Sequence, residues 1–138
     1  MQILFHKNNL KNKFSYDICE KYCDLFSLDL NLKIAIKKYS LGMRQKAAII
    51  QSVMENQNVI LLDEPTRGVD VGAKKEIYDV INELKKKGLS IIMISSEMPE
   101  VMGLSDRIMV IHEHKISGTL SKDEFTQEKI MRYAVGVE

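Results

Sequence analysis

Four consecutive apolar residues, Val59-Ile60-Leu61-Leu62, run without a break into Asp63-Glu64-Pro65. A run this short and β-branched, bounded by a proline turn, is the pattern of a strand buried on both faces of a parallel sheet. A parallel sheet needs crossover connections, and the chain supplies them. Lys74 to Lys87 repeats apolar residues at Ile77, Val80, Ile81 and Leu84 and stops at Gly88, as a helix does. A second apolar strand is expected from Leu89 to Ser95. Ser96 to Met102 then reads as a short helix, Arg107 to His112 and Lys115 to Leu120 as two strands around a tight turn, and Ser121 or Asp123 as the start of a closing helix. Strands alternating with helices indicate an α/β fold.

Ahead of the first strand the pattern is helical. From Ser15 to Leu28, Ile18, Cys19, Tyr22, Cys23, Leu25 and Phe26 recur at helical spacing, after 14 residues expected to be frayed. Asp29 to Lys38 is a connector. Ser40 is the natural N-cap of a second helix through Ala47, Ile50, Val53 and Met54, ending near Asn56 and Gln57. No repeat, low-complexity segment or flexible linker interrupts the chain.

Composition bounds the function. The 138 residues are 45% hydrophobic and 28% charged, with net charge +1, as in a globular unit without the basic stripe that nucleic-acid binding requires. No apolar run approaches the roughly 20 residues of a membrane span, and residues 1–13 lack the form of a signal peptide, so a cytoplasmic location is expected. Cys19 and Cys23 stand at i, i+4, but neither a second Cys pair nor a His cluster completes four metal ligands, so reduced thiols are expected. His6 stands apart. His112 and His114 alternate on a strand pattern that puts both on one solvent-facing side.

Chemistry gathers where the first strand ends, because ligands of open α/β sheets bind at the carboxyl ends of strands. Adjacent acids there suit two tasks: one orders Mg²⁺ and the other polarises a water attacking a γ-phosphate. Over its whole length, Leu61-Leu62-Asp63-Glu64-Pro65-Thr66-Arg67-Gly68-Val69-Asp70 resembles the Walker B and D-loop segment of ABC ATPases. Upstream, Tyr39-Ser40-Leu41-Gly42-Met43-Arg44-Gln45-Lys46 resembles the ABC signature motif, with Leu41 and Met43 at its usual second-Gly and Gln positions. Ser40 as N-cap, Gly42 and the free N–H groups of the first turn can form an anion site. Residues 63–136 further resemble the second nucleotide-binding half of ribose- and xylose-type sugar importers, whereas the signature is closer to exporter-type ATPases.

The resemblance implies the C-terminal part of a P-loop NTPase core, with residues 1–57 a partial helical subdomain carrying the signature helix and residues 58–138 the remaining α/β core. It assigns Glu64 as catalytic base and Asp63 to Mg²⁺. Ser40, Gly42, Met43 and Gln45 would contact ATP across a dimer interface, Asp70 would carry D-loop communication, and Ser96 stands where most of the family has its switch-loop His. The implied partners are a second nucleotide-binding domain and transmembrane permease subunits, which would hold the chain peripherally on the inner face of the membrane. No Gly-x-x-x-x-Gly-Lys-Ser/Thr sequence occurs among the seven glycines. The chain by itself is therefore expected to be inactive, because that loop supplies the N–H cradle and Lys for the phosphates. Two further readings fit the same residues: a non-enzymatic module docking on an intact nucleotide-binding domain, and an exporter-type ATPase.

Overall fold

A computed structural model describes residues 16–29, 34–54 and 57–137. The expected frayed start, His6, part of the 29–38 connector and the helix end at Asn56 lie outside the described residues. The chain divides into two compact units, Met1–Ile94 and Ser95–Glu138.

The first unit contains α1 (Tyr16–Leu25), α2 (Leu41–Met54), β1 (Val59–Asp63), α3 (Val71–Lys86) and β2 (Ser90–Ile94), with a 3₁₀ turn at Ile36–Lys38. Helix α1 buries Cys23 and leads into buried Phe26 and Leu28. It ends as Ser27 turns to φ 50 and the Leu28 N–H reaches back to the Cys23 carbonyl at 2.8 Å. Helix α2 packs on α1, α3 and β1 and buries Ile49, Ile50 and Val53. Ser40 caps it as expected, its Oγ accepting the Met43 N–H at 3.1 Å.

Helix α3 starts three residues earlier than the sequence pattern indicates. The Asp70 carboxylate accepts the Ala73 N–H at 2.9 Å, so the capped turn takes in Val71, Gly72 and Ala73 ahead of the expected start at Lys74. Ile77 and Leu84 are fully buried, with Val80 and Ile81 beside them. The helix closes at Gly88, where φ is +86 and the Leu89 N–H bonds the Leu84 carbonyl.

Strands β1 and β2 pair in parallel, from Val59 opposite Ser90 to Asp63 opposite Ile94, with α3 as the crossover. The parallel pairing agrees with the sequence reading; the burial does not. Ile60 and Leu62 are buried, but Val59, Leu61, Ile92 and Ile94 are each more than half exposed, so β1 alternates instead of being covered on both faces. The continuous apolar run hides this alternation, since both faces carry apolar residues.

The second unit contains α4 (Met98–Leu104), the antiparallel hairpin of β3 (Arg107–His112) and β4 (Lys115–Ser121), and α5 (Gln127–Ala134). Its core is Ile108, Val110, Leu120 and Ile130, with Met98, Val101, Phe125 and Tyr133 packed around them. The closing helix begins later than expected. Ser121 and Glu124 form a capping box that closes one 3₁₀ turn at Lys122–Glu124, and Thr126 then caps α5 through the Lys129 N–H. The two histidines do not share a solvent face. A register shift follows Val110, and Glu113 and His114 turn with φ 46 and 64. His112 is thereby drawn half-buried onto the Ala134 carbonyl, 2.8 Å from Nδ1, while His114 stays exposed.

Candidate functional site

The carboxylates leave β1 on different backbone geometries. Asp63 is the last strand residue, exposed and in register with Ile94. Glu64 takes φ 47, a left-handed conformation that costs a non-glycine residue ~1–3 kcal/mol and persists where neighbouring bonds enforce it. Those bonds are present. The Glu64 N–H donates to the Ile94 carbonyl at 2.8 Å, prolonging the ladder one residue past the strand, and its carbonyl accepts the Arg67 N–H at 3.2 Å. The chain thus turns sharply at Glu64, directly after Asp63 ends the strand.

The following loop leads back to α2. Thr66 is fully buried, the Val69 N–H closes a turn on the Thr66 carbonyl at 3.1 Å, and Gly68 takes φ +73 with Leu41 Cδ2 3.2 Å from the position a Cβ would occupy. Gly42 is buried against the same segment. A Cβ there would lie 2.9 Å from the Ala73 Cβ and 3.6 Å from Val69 Cγ1. Glycine at 42 is therefore required by the approach of α3, and any larger residue would push α3 away; its availability to a phosphate rests on its backbone N–H. The structure brings Ser40, Gly42 and Asp70 together in this way, with both capping side chains at helix starts that adjoin one loop.

Met43 and Gln45 are half-buried on α2. Ser96 is exposed and belongs to the second unit. Its neighbour Ser95 donates to the fully buried Glu100 and accepts the Glu97 N–H at 3.0 Å, which fixes the bend that carries Ser96. The oxygen donors at Asp63 and Glu64 suit a hydrated Mg²⁺, which binds one or two carboxylates and keeps several waters. The first turn of α2 suits one anionic oxygen group. Among the described residues no cluster of three or more His, Cys, Asp or Glu forms a metal site, and no helix is long and apolar enough to cross a membrane.

Sequence reading missed one pair in this site. Lys46 is 6% exposed and forms an ion pair with Glu76 of α3. The available signal was its position, a cation in line with Gly42, Ile49, Ile50 and Val53 on the buried side of α2.

Residues 3–67 match the ABC transporter family. In sequence the chain is similar to ATP-binding proteins of ABC transporters, and its fold matches about half of an ABC-transporter cassette. Its sequence relatives include the ribose import ATP-binding protein RbsA of Clostridium tetani, 61% identical over 100 residues, which are 72% of this chain and 20% of that protein. The protein of the same name from Oceanobacillus iheyensis is 48% identical over 132 residues, 95% of this chain and 27% of that protein. The chain thus spans a fifth to about a quarter of these curated relatives. Among solved structures, an ATP-binding cassette of an ABC transporter in its ADP conformation matches at a TM-score of 0.73 and 22% identity, covering 87% of this chain and 49% of that one. A nucleotide-free cassette matches at 0.74 and 22%, covering 96% and 55%.

Proposed function

We propose that the chain is part of the ATP-binding subunit of a sugar-import ABC transporter, contributing the signature, Walker B and D-loop side of an ATP site. Residues 1–57 act as the partial helical subdomain and residues 58–138 as the C-terminal part of the α/β core. Ser40, Gly42, Met43 and Gln45 meet the γ-phosphate of MgATP held on the phosphate-binding loop of a second nucleotide-binding domain. Asp63 orders Mg²⁺, Glu64 takes the proton of the attacking water, Asp70 links the two sites, and Ser96 occupies the switch position. Permease subunits anchor the assembly to the inner membrane face.

The observation that carries this reading is the packing of the capped start of α2, through Gly42, on Val69 of the loop that follows the two carboxylates and on Ala73 in the first turn of α3. The 138 residues hold no phosphate-binding loop, and Asp63 and Glu64 add negative charge where phosphates would enter, so repulsion outweighs attraction for nucleotide without a partner. The test mixes the purified chain with an intact ABC cassette that carries its own phosphate-binding loop. Association by size-exclusion chromatography is expected with MgATP and not without it, and the chain by itself should release no phosphate. Micromolar MgATP binding by the chain, with phosphate release lost in Glu64→Gln, would overturn the shared-site reading.

A further inference from the structure

Two inter-helix contacts lie one turn apart on α2 and α3. In the first turn the Gly42 backbone abuts Ala73; one turn on, Lys46 pairs with Glu76. Residues at i, i+4 and i, i+3 share a helix face, so Gly42 with Lys46, and Ala73 with Glu76, form two matched rows. A single point of contact would let α2 roll against α3. Two points fix both the crossing and the rotation.

We propose that Lys46 and Glu76 are positioning residues that lock the first turn of α2, the Gly68–Asp70 loop and the start of α3 into one body. This proposal rests on the function given above. The ammonium of Lys46 has a side chain only 7% exposed, whereas that of Glu76 is 53% exposed. A buried cation without its partner is strongly unfavourable, so Lys46 holds α3 at the distance where Glu76 can reach it. That distance also seats Val69 beside Gly42 and Leu41 beside Gly68. The Ser40 cap of α2 and the Asp70 cap of α3 are therefore set relative to each other from outside the phosphate-facing turn. Neither Lys46 nor Glu76 needs to touch nucleotide for this effect.

The experiment compares Glu76→Gln, Lys46→Met and Lys46→Arg in the full chain, first by amide hydrogen exchange and then by MgATP-dependent association with the intact cassette. The Met43 and Ala73 amides report directly, since they donate to Ser40 and Asp70. In Glu76→Gln and Lys46→Met these two amides should exchange at least about tenfold faster while amides of Val80 to Leu84 hold within about twofold, and Lys46→Arg should retain protection. Association should weaken in parallel with the exchange at Met43 and Ala73. Equal acceleration at both sets of amides, meaning general destabilisation, overturns the proposal, as does no change at Met43 and Ala73. Failure of the unmodified chain to associate overturns the functional reading instead, and the exchange data then decide the positioning role by themselves.

Discussion

The parallel pair β1–β2 and the hairpin β3–β4 both present an apolar outer face, with Leu61, Ile92 and Ile94 on the first and Met109, Ile111 and Ile116 on the second. Such exposure is ordinary for antiparallel strands, which commonly solvate one face, and unusual for parallel strands, which are normally covered on both. The hairpin turns Ile108, Val110 and Leu120 onto Ile130 of the next helix, so its core comes from one short stretch of chain. The parallel pair instead delivers Asp63 and Glu64 at one end and needs α3 to return. The lesson is a division of labour: the second unit is organised around a local core, and the first around the placement of a strand end.

The strongest test of that division removes one buried leucine from each unit. Leu84→Ala and Leu120→Ala should each cost about 2–5 kcal/mol, because both side chains are essentially inaccessible. Hydrogen exchange should show the first loss in α3 and β1 and the second in β3, β4 and α5. Matching loss throughout the chain for both variants would break the distinction between units.

A smaller effect should belong to the first unit through Cys23. Burial, reinforced by the neighbouring Cys19, pushes the Cys23 thiol up to about 12 from its ordinary 9.0. The folded chain then holds this proton more tightly than the unfolded chain. The contribution is complete well below pH 9 and is lost as pH rises from 9 towards 12, approaching about 1.4 kcal/mol per unit only once pH is well above 9. Urea unfolding at pH 9 and pH 10 should differ by about 1 kcal/mol in the unmodified chain and by less in Cys23→Ala. Equal differences would remove Cys23 as the cause.

The smallest change is expected at the open face. Leu61→Thr combined with Ile92→Thr should alter unfolding free energy by no more than about 0.5 kcal/mol per site, since both side chains are largely exposed. Self-association measured by light scattering should fall, because the pair removes apolar surface from a sheet that has two strands among the described residues. A large stability loss would show that this face is covered in solution.

Local signals made much of the fold legible. The Ser40 cap, the apolar stripe of α3 and both hairpin strands follow from neighbours within a few residues, and the structure holds them where the pattern put them. Errors arose where two local signals competed. The apolar periodicity starts the third helix at Lys74 although Asp70 caps it from Val71, and Ser121 opens a single 3₁₀ turn before Thr126 caps the true helix. The acids at the end of β1 were legible as chemistry, but the left-handed turn at Glu64 was not, because the Ile94 carbonyl that supports it lies on another strand. Lys46 and Glu76 are 30 residues apart, and no periodicity links them.

The crossover through α3 also sets an order of assembly. The hairpin closes through the two-residue turn Glu113-His114, whereas Val59 meets Ser90 only after a whole helix has been laid between them. Closing the longer loop costs more chain entropy before any contact repays it, so long-range parallel pairing is the slower event. The bond from the Glu64 N–H to the Ile94 carbonyl joins the last residues of that slow pair. The left-handed turn at Glu64 therefore belongs to the long-range pairing and is expected to form after the hairpin and the helix caps on either side.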